Sequence, residues 1–123
     1  MPKAGGGKPM KDCLFCKIAA GQIPSNKVYE DEHALVFKDI KPAAPTHLLA
    51  IPKDHYQTIQ DIPAEKTEVM QQLFIAIAGA VKKLNLGVNG YRLVINSGEH
   101  AGQLVPHLHA HILAGRELAW PPG

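Results

Sequence analysis

The sequence predicts a single α+β domain with a five-stranded, mostly antiparallel sheet and two helices. Three observations carry this prediction. The chain has 123 residues, enough for one domain with one modest core. Apolar residues recur at helical spacing in one long central stretch only. Short apolar runs broken by Gly and Pro flank it, in the order helix, hairpin, strand, long helix, two strands.

Residues 1–11 are rich in Gly, Pro and Lys and have nothing to bury, so they predict a flexible tail before a single domain over 12–123. Asp12 can cap a short helix over Cys13–Ala20, which Gly21 stops. Val28–Tyr29 and Ala34–Lys38 read as strands around a turn at Glu30–His33. Two prolines make Ile40–Thr46 a loop. His47–Ile51 is a third strand, ended by Pro52. Val69, Leu73, Ile77, Val81 and Leu84 recur mostly every fourth residue, which predicts an amphipathic helix from about Pro63 to Asn85, broken by Gly87 and Gly90. Tyr91–Asn96 and His107–Leu113 are the last two strands, separated by a glycine-containing loop at Gly98–Val105.

Composition narrows the function. Hydrophobic residues are 46% and charged residues 20%, and the formal net charge is +2. So weak a balance gives no argument for a nucleic-acid or membrane-surface partner, and neither is expected. No apolar run approaches the roughly 20 residues of a membrane span. The first ten residues lack the apolar core of a secretory signal, so the expected location is the cytoplasm. Two cysteines are too few for a disulfide scaffold.

The chemistry concentrates in His107-Leu108-His109-Ala110-His111-Ile112-Leu113. Alternate residues of a strand share a face, which places the three histidines together and Leu108, Ala110 and Ile112 toward the core. With seven histidines in 123 positions, chance yields such an alternation about 2% of the time. Imidazole serves as nucleophile, acid or metal ligand near neutral pH, so the pattern suits phosphoryl chemistry or a metal site. The neighbouring Gly98 and Gly102 suggest backbone N–H donors approaching a phosphate.

H-L-H-A-H-I-L resembles the motif of the histidine triad (HIT) family. Phe37-Lys38-Asp39-Ile40-Lys41-Pro42, Ala44-Pro45-Thr46-His47, Ile51-Pro52-Lys53, Asn96, Ala101-Gly102-Gln103, Gly115-Arg116 and Trp120-Pro121-Pro122-Gly123 are similar to its Hint branch. The likeness covers about residues 12–123. It implies hydrolysis of purine nucleoside 5′-phosphoramidates, derivatives of AMP or GMP, through a nucleotidyl-histidine. By that resemblance His109 is the nucleophile, His111 stands at the bridging atom, His107 fixes the nucleophile and His47 completes the site. Asp39 takes the ribose hydroxyls. Asn96, Gly102 and Gln103 line the phosphate, and Leu14, Phe15, Ile18 and Ile40 form the slot for the base. The resemblance also implies a homodimer whose sheets continue across the interface, with Trp120 reaching the neighbouring subunit. Leu104 departs from the branch, where a polar residue often follows the Gly-Gln pair, and Pro106 replaces an aromatic residue. No cofactor is expected in catalysis.

Cys13 and Cys16 form a lone C-x-x-C, read as buried thiols, a redox pair or half of a structural zinc site. Some bacterial histidine-triad proteins bind zinc there, and that likeness implies His55 and His107 as the other ligands. Three competing functions stand beside the main one: a non-catalytic nucleotide-binding module, a zinc hydrolase using the triad as ligands, and a dinucleoside polyphosphate hydrolase of a sister branch. The Trp-Pro-Pro-Gly ending favours the Hint branch over the last.

Overall fold

The computed structural model describes residues 7–123. The expected tail falls partly on residues 1–6, which lie outside the described residues. From Gly7 onward the backbone is tied down: Gly7 N–H donates to His55 O at 2.9 Å and His55 N–H returns a bond to Gly7 O at 3.2 Å.

The elements are α1 (Leu14–Ala19), β1 (Lys27–Glu30), β2 (Ala34–Lys38), β3 (Thr46–Pro52), α2 (Glu68–Lys83), β4 (Tyr91–Val94) and β5 (Ala110–Ala114). The five strands form one sheet in the order β1-β2-β3-β5-β4, with every pairing antiparallel. Side chains that alternate along each strand build a core on each face. Val36, Leu48, Ala50, Leu108, Ala110 and Ile112 pack against Leu73, Ala76, Ile77 and Ala80 of α2. Leu35, Phe37, Leu49 and Ile51 pack on the opposite face against Phe15, Cys16 and Ile18 of α1. Among the described residues no helix is long and apolar enough to cross a membrane.

Five boundaries stand out as different from expectation. Cys13, not Asp12, caps α1, its sulfur accepting from Cys16 N–H at 3.4 Å. The chain from Ile59 to Lys66 makes two 3-10 turns, and α2 starts only at Glu68. There Asp61 turns its carboxylate back onto Thr58 N–H (3.0 Å) and Thr58 Oγ1–H (2.8 Å), which closes the first turn before Pro63. α2 ends at Lys83, two residues before the expected Asn85, and Asn85 itself, at φ 55°, takes the left-handed turn beyond the Leu84 cap. β4 stops at Val94, and β5 starts at Ala110. His107 and His109 therefore precede the ladder: His107 N–H bonds Val105 O and Leu108 N–H bonds Tyr56 O instead of a strand partner. The alternation of faces survives, because Leu108 still enters the α2 core with Ala110 and Ile112.

Candidate active site

A cavity of about 520 Å³ opens between α1 and the sheet. The sheet register lays its floor. Phe37 of β2 pairs with Leu49 of β3, and Leu49 pairs with His111 of β5, so these three side chains stand in a row across neighbouring strands. Phe15 of α1 meets this floor edge-on, 5.8 Å from the Phe37 ring and 5.1 Å from the His109 ring between centroids.

Of the residues singled out in the sequence, His109, His111, Asp39, Ile40, Asn96, Gly102, Leu14, Phe15 and Ile18 all line this cavity. Leu104 lines it too and is 91% exposed, as is Ile40. His47 sits just behind His111. His107 is fully buried and does not line the cavity, its ring 5.9 Å from that of Phe15 between centroids. Trp120 is 80% exposed, with the Arg92 guanidinium 5.9 Å from its ring, and does not line the cavity of this chain. Gln103 does not reach the cavity either. Its Nε2–H group donates to Gln57 O and Val105 O, and its Oε1 accepts from Gly98 N–H. The Gly102 and Gln103 amides also bond within the loop. Gln103 therefore shapes the loop, and the expected nest of phosphate donors is not formed by Gly98, Gly102 and Gln103. Phe37, Leu49, Ser25 and Asn26 are lining residues that sequence reasoning missed. Only the strand register brings them to this face.

Backbone groups set the tautomers of His109 and His47, and His47 in turn sets that of His111. Nδ1–H of His109 donates to His107 O at 2.7 Å, which leaves Nε2 with its lone pair. His47 Nδ1 accepts from Ala43 N–H at 2.9 Å, so the His47 hydrogen sits on Nε2. That Nε2 lies 2.9 Å from His111 Nδ1 and 3.4 Å from Asp39 Oδ2. His111 Nδ1 therefore accepts, and its Nε2 carries the hydrogen. The His109 and His111 rings are 5.0 Å apart between centroids. A bare nitrogen and an N–H thus stand side by side. Burial, and then the neighbouring His109 and His47, push His111 down to about 4, so it is neutral at pH 7. Burial also lowers His109, against an upward pull from its bond to His107 O and from Asp39. Asp39 holds its own loop as well, its Oδ1 accepting from Lys41 N–H at 2.8 Å.

A second cluster lies below. Sulfur and Nδ1 atoms of Cys13, Cys16, His55 and His107 all fall within 4.8 Å of one another, and all four residues are buried. The separations are 3.3 Å for Cys13–His107, 3.3 Å for Cys16–His55, 3.5 Å for Cys16–His107 and 3.2 Å for His55–His107. Tetrahedral zinc with N and S ligands needs edges of about 3.3–3.8 Å, so the residues fit such an ion. The outer shell fits as well. His107 Nε2–H donates to Pro52 O at 2.8 Å, which bares Nδ1 toward the cluster, and Met10 N–H donates to Cys16 Sγ at 3.4 Å. Burial first, and then the neighbouring Cys13, push the Cys16 thiol up to about 11, against a downward pull from Met10 N–H. A bound cation would favour the thiolate. Asp39, His47 and His111 form another compact group. Their geometry is that of a hydrogen-bonded chain, since the two facing nitrogens are only 2.9 Å apart and one carries a hydrogen.

An antiparallel α+β domain with a lone-pair imidazole beside a donor imidazole, at the mouth of a nucleotide-sized cavity, defines a class of enzyme that works through a histidine nucleophile. Residues 20–118 match the HIT domain, and the chain belongs to the HIT family. It is 42% identical to an HIT-like protein of Synechococcus elongatus, over 92% of this chain and 98% of that one. An HIT-like protein of Azospirillum brasilense is 47% identical, over 85% and 87%. Among solved structures it resembles an HIT family hydrolase of Legionella pneumophila, with a TM-score of 0.86, 47% identity and 91% and 100% of the chains covered. A histidine triad protein of Clostridium difficile gives 0.86 and 44%, over 89% and 96%. A histidine triad nucleotide-binding protein of Candida albicans gives 0.77 and 34%, over 89% and 83%. The intact triad and the family together support hydrolysis through a nucleotidyl-histidine.

Proposed function

We propose that the protein hydrolyses purine nucleoside 5′-phosphoramidates, as in the Hint branch. The observation that carries this reading is the pair of opposed tautomers at His109 and His111. Nε2 of His109 attacks phosphorus; a nitrogen–phosphorus bond forms as the substrate P–N bond breaks, and the amine leaves with a proton. Water then attacks the same phosphorus, gives up a proton, and releases the monophosphate and His109. Amine departure requires protonation. His111 Nε2–H is the donor at hand, and an anionic phosphoryl group beside it raises the affinity of the His47–His111 pair for a further proton. The carboxylate of Asp39 accepts from the ribose hydroxyls, and the Asn96 amide donates to phosphate. The base lies between Phe15, Ile18 and Phe37, with Leu14 and Ile40 at the rim.

The Cys13, Cys16, His55 and His107 cluster would have a bracing role in this reading. Zinc held by these residues would supply no chemistry to substrate; it would fix His107, whose carbonyl accepts from His109 Nδ1–H. Two copies of the chain form the working unit. β4 is an unpaired edge, Tyr91 and Leu93 on it are exposed, and so are Phe74 and Ile75 of α2. Pairing of two β4 edges would continue the sheet and bring each Trp120 toward the neighbouring subunit. We place the activity in the cytoplasm, where thiols such as Cys13 and Cys16 stay reduced.

The test is hydrolysis of adenosine 5′-phosphoramidate by wild type and His109→Ala, with rapid-quench mass analysis. AMP release and one nucleotidyl group on His109 of the wild type, both lost in the variant, are the expected result. A wild type that binds AMP and hydrolyses nothing would replace the enzyme by a nucleotide-binding module. Light scattering on the same sample should give twice the 13.3 kDa chain mass.

A further inference from the structure

The polar groups of the cavity are not all gathered at the imidazoles. Ser25 and Asn26, between α1 and β1, also line it. Their position relative to the triad follows from the sheet. Lys27 pairs with Phe37, Phe37 with Leu49, and Leu49 with His111. Asn26 is anchored at the start of this row, its carbonyl accepting from Lys38 N–H at 2.9 Å. Three strand-to-strand steps therefore separate His111 from the residue beside Asn26, about 14 Å at the usual spacing. The span between is apolar: Leu49 and Phe37 make the floor, and Phe15 and Ile18 make the roof.

A slot with phosphoryl chemistry at one end and an apolar middle takes a flat ring in that middle. Ser25 and Asn26 line the far end, as does Lys38, whose N–H holds the Asn26 carbonyl. The Ser25 hydroxyl is buried and has no hydrogen-bond partner among the described residues. A buried hydroxyl without a partner is destabilising, and native structures rarely keep one unless something else completes it. Asn26 carries a donor and an acceptor on one planar group, the arrangement that matches the edge of a purine.

We propose that Ser25 and Asn26 read the exocyclic edge of the base, so that the site selects purines bearing an amino or oxo group over an unsubstituted purine. This rests on the nucleotide reading above and adds the residues that choose the base. It assigns specificity to the far end of the slot, with no part in the chemistry at phosphorus. The apolar walls accept any flat ring, and the two polar residues grade the rings by what their edge can donate or accept. One or two neutral hydrogen bonds correspond to about three- to thirtyfold in affinity.

Equilibrium binding of AMP, GMP and purine riboside 5′-monophosphate tests this without reference to turnover. Wild type should bind AMP or GMP at least threefold more tightly than the unsubstituted purine. Ser25→Ala combined with Asn26→Ala should bind all three within twofold of one another. Ser25→Thr, which keeps the hydroxyl, should retain the preference, and this separates edge recognition from damage to the loop. Equal binding of the three by wild type overturns the proposal, as does a preference that survives the double substitution. If the preference is present but no phosphoramidate is hydrolysed, edge recognition stands and the hydrolase reading alone falls.

Discussion

His47 stands behind His111 and does not line the cavity, yet it bears on where the His111 hydrogen sits. Its Nδ1 accepts from Ala43 N–H, and its Nε2 then holds the hydrogen of His111 on the nitrogen that is free to donate. His47→Phe removes that constraint and leaves the His111 tautomers free to exchange. The expected result is a fall in kcat of about tenfold to hundredfold, within the lower reach of what a positioned acid contributes, with KM nearly unchanged. His47→Gln keeps a donor toward His111 and should recover part of the loss. An unchanged kcat in the Phe variant, or a loss confined to KM, would remove His47 from its positioning role. Gln103 carries a similar lesson. Its place beside Gly102 suggests a phosphate ligand, yet its side chain is occupied by Gln57, Val105 and Gly98. Sequence proximity to a site does not say which way a side chain is committed.

Within the elements, α2 and β1 meet at a point of unusually close approach. A Cβ on Gly79 would lie 2.5 Å from the Tyr29 ring, and that ring is pinned because Tyr29 O–H donates to Asp31 at 2.8 Å. Alanine in a helix interior ordinarily gains about 1 kcal/mol over glycine. Here the overlap reverses the sign, and Gly79→Ala should destabilise by about 1–3 kcal/mol in a urea titration, as overpacking does. A more stable variant would mean that α2 can shift away from β1 at little cost. The same elements show what was legible in advance. Ala34–Lys38 matches its expected bounds because a continuous apolar run between turn residues leaves no alternative. The core stripe of α2 was nearly as plain: Val69, Leu73, Ile77 and Val81 are all buried, while Leu84, the last residue of the expected stripe, is the exposed C-cap. The errors fall where a long-range bond decides. Tyr56 O takes Leu108 N–H and Pro52 O takes the His107 ring, so the segment carrying two triad histidines leaves the ladder. The alternation that marks the triad could be read from spacing alone, whereas Phe37, Leu49, Ser25 and Asn26 required the strand register to be known.

Over the whole molecule, burial of imidazole sets the response to acid. The folded protein holds His111 down at about 4, against 6.5 ordinarily. Below 6.5 the unfolded chain binds the proton more readily, so stability is complete above that pH and is lost as pH falls toward 4. His109 is shifted in the same direction. The urea midpoint should therefore fall between pH 7.5 and 4.5, and His111→Asn should flatten that fall. A wild-type midpoint that stays constant across this range would show that His111 is solvated more freely than its packing indicates.

The acceptors that set the two innermost imidazoles are main-chain carbonyls, Pro52 O for His107 and His107 O for His109. Every amino acid supplies a carbonyl, so changing the side chain at position 52 leaves the first acceptor in place. The proton arrangement of the nucleophile is thus inherited from the path of the chain and not from the identity of the residues along it. Drift in sequence around the triad can proceed without erasing that arrangement, provided the turn from β3 and the approach to β5 keep their course. What such a lineage cannot tolerate is an insertion or deletion in either segment, because that moves the carbonyl itself.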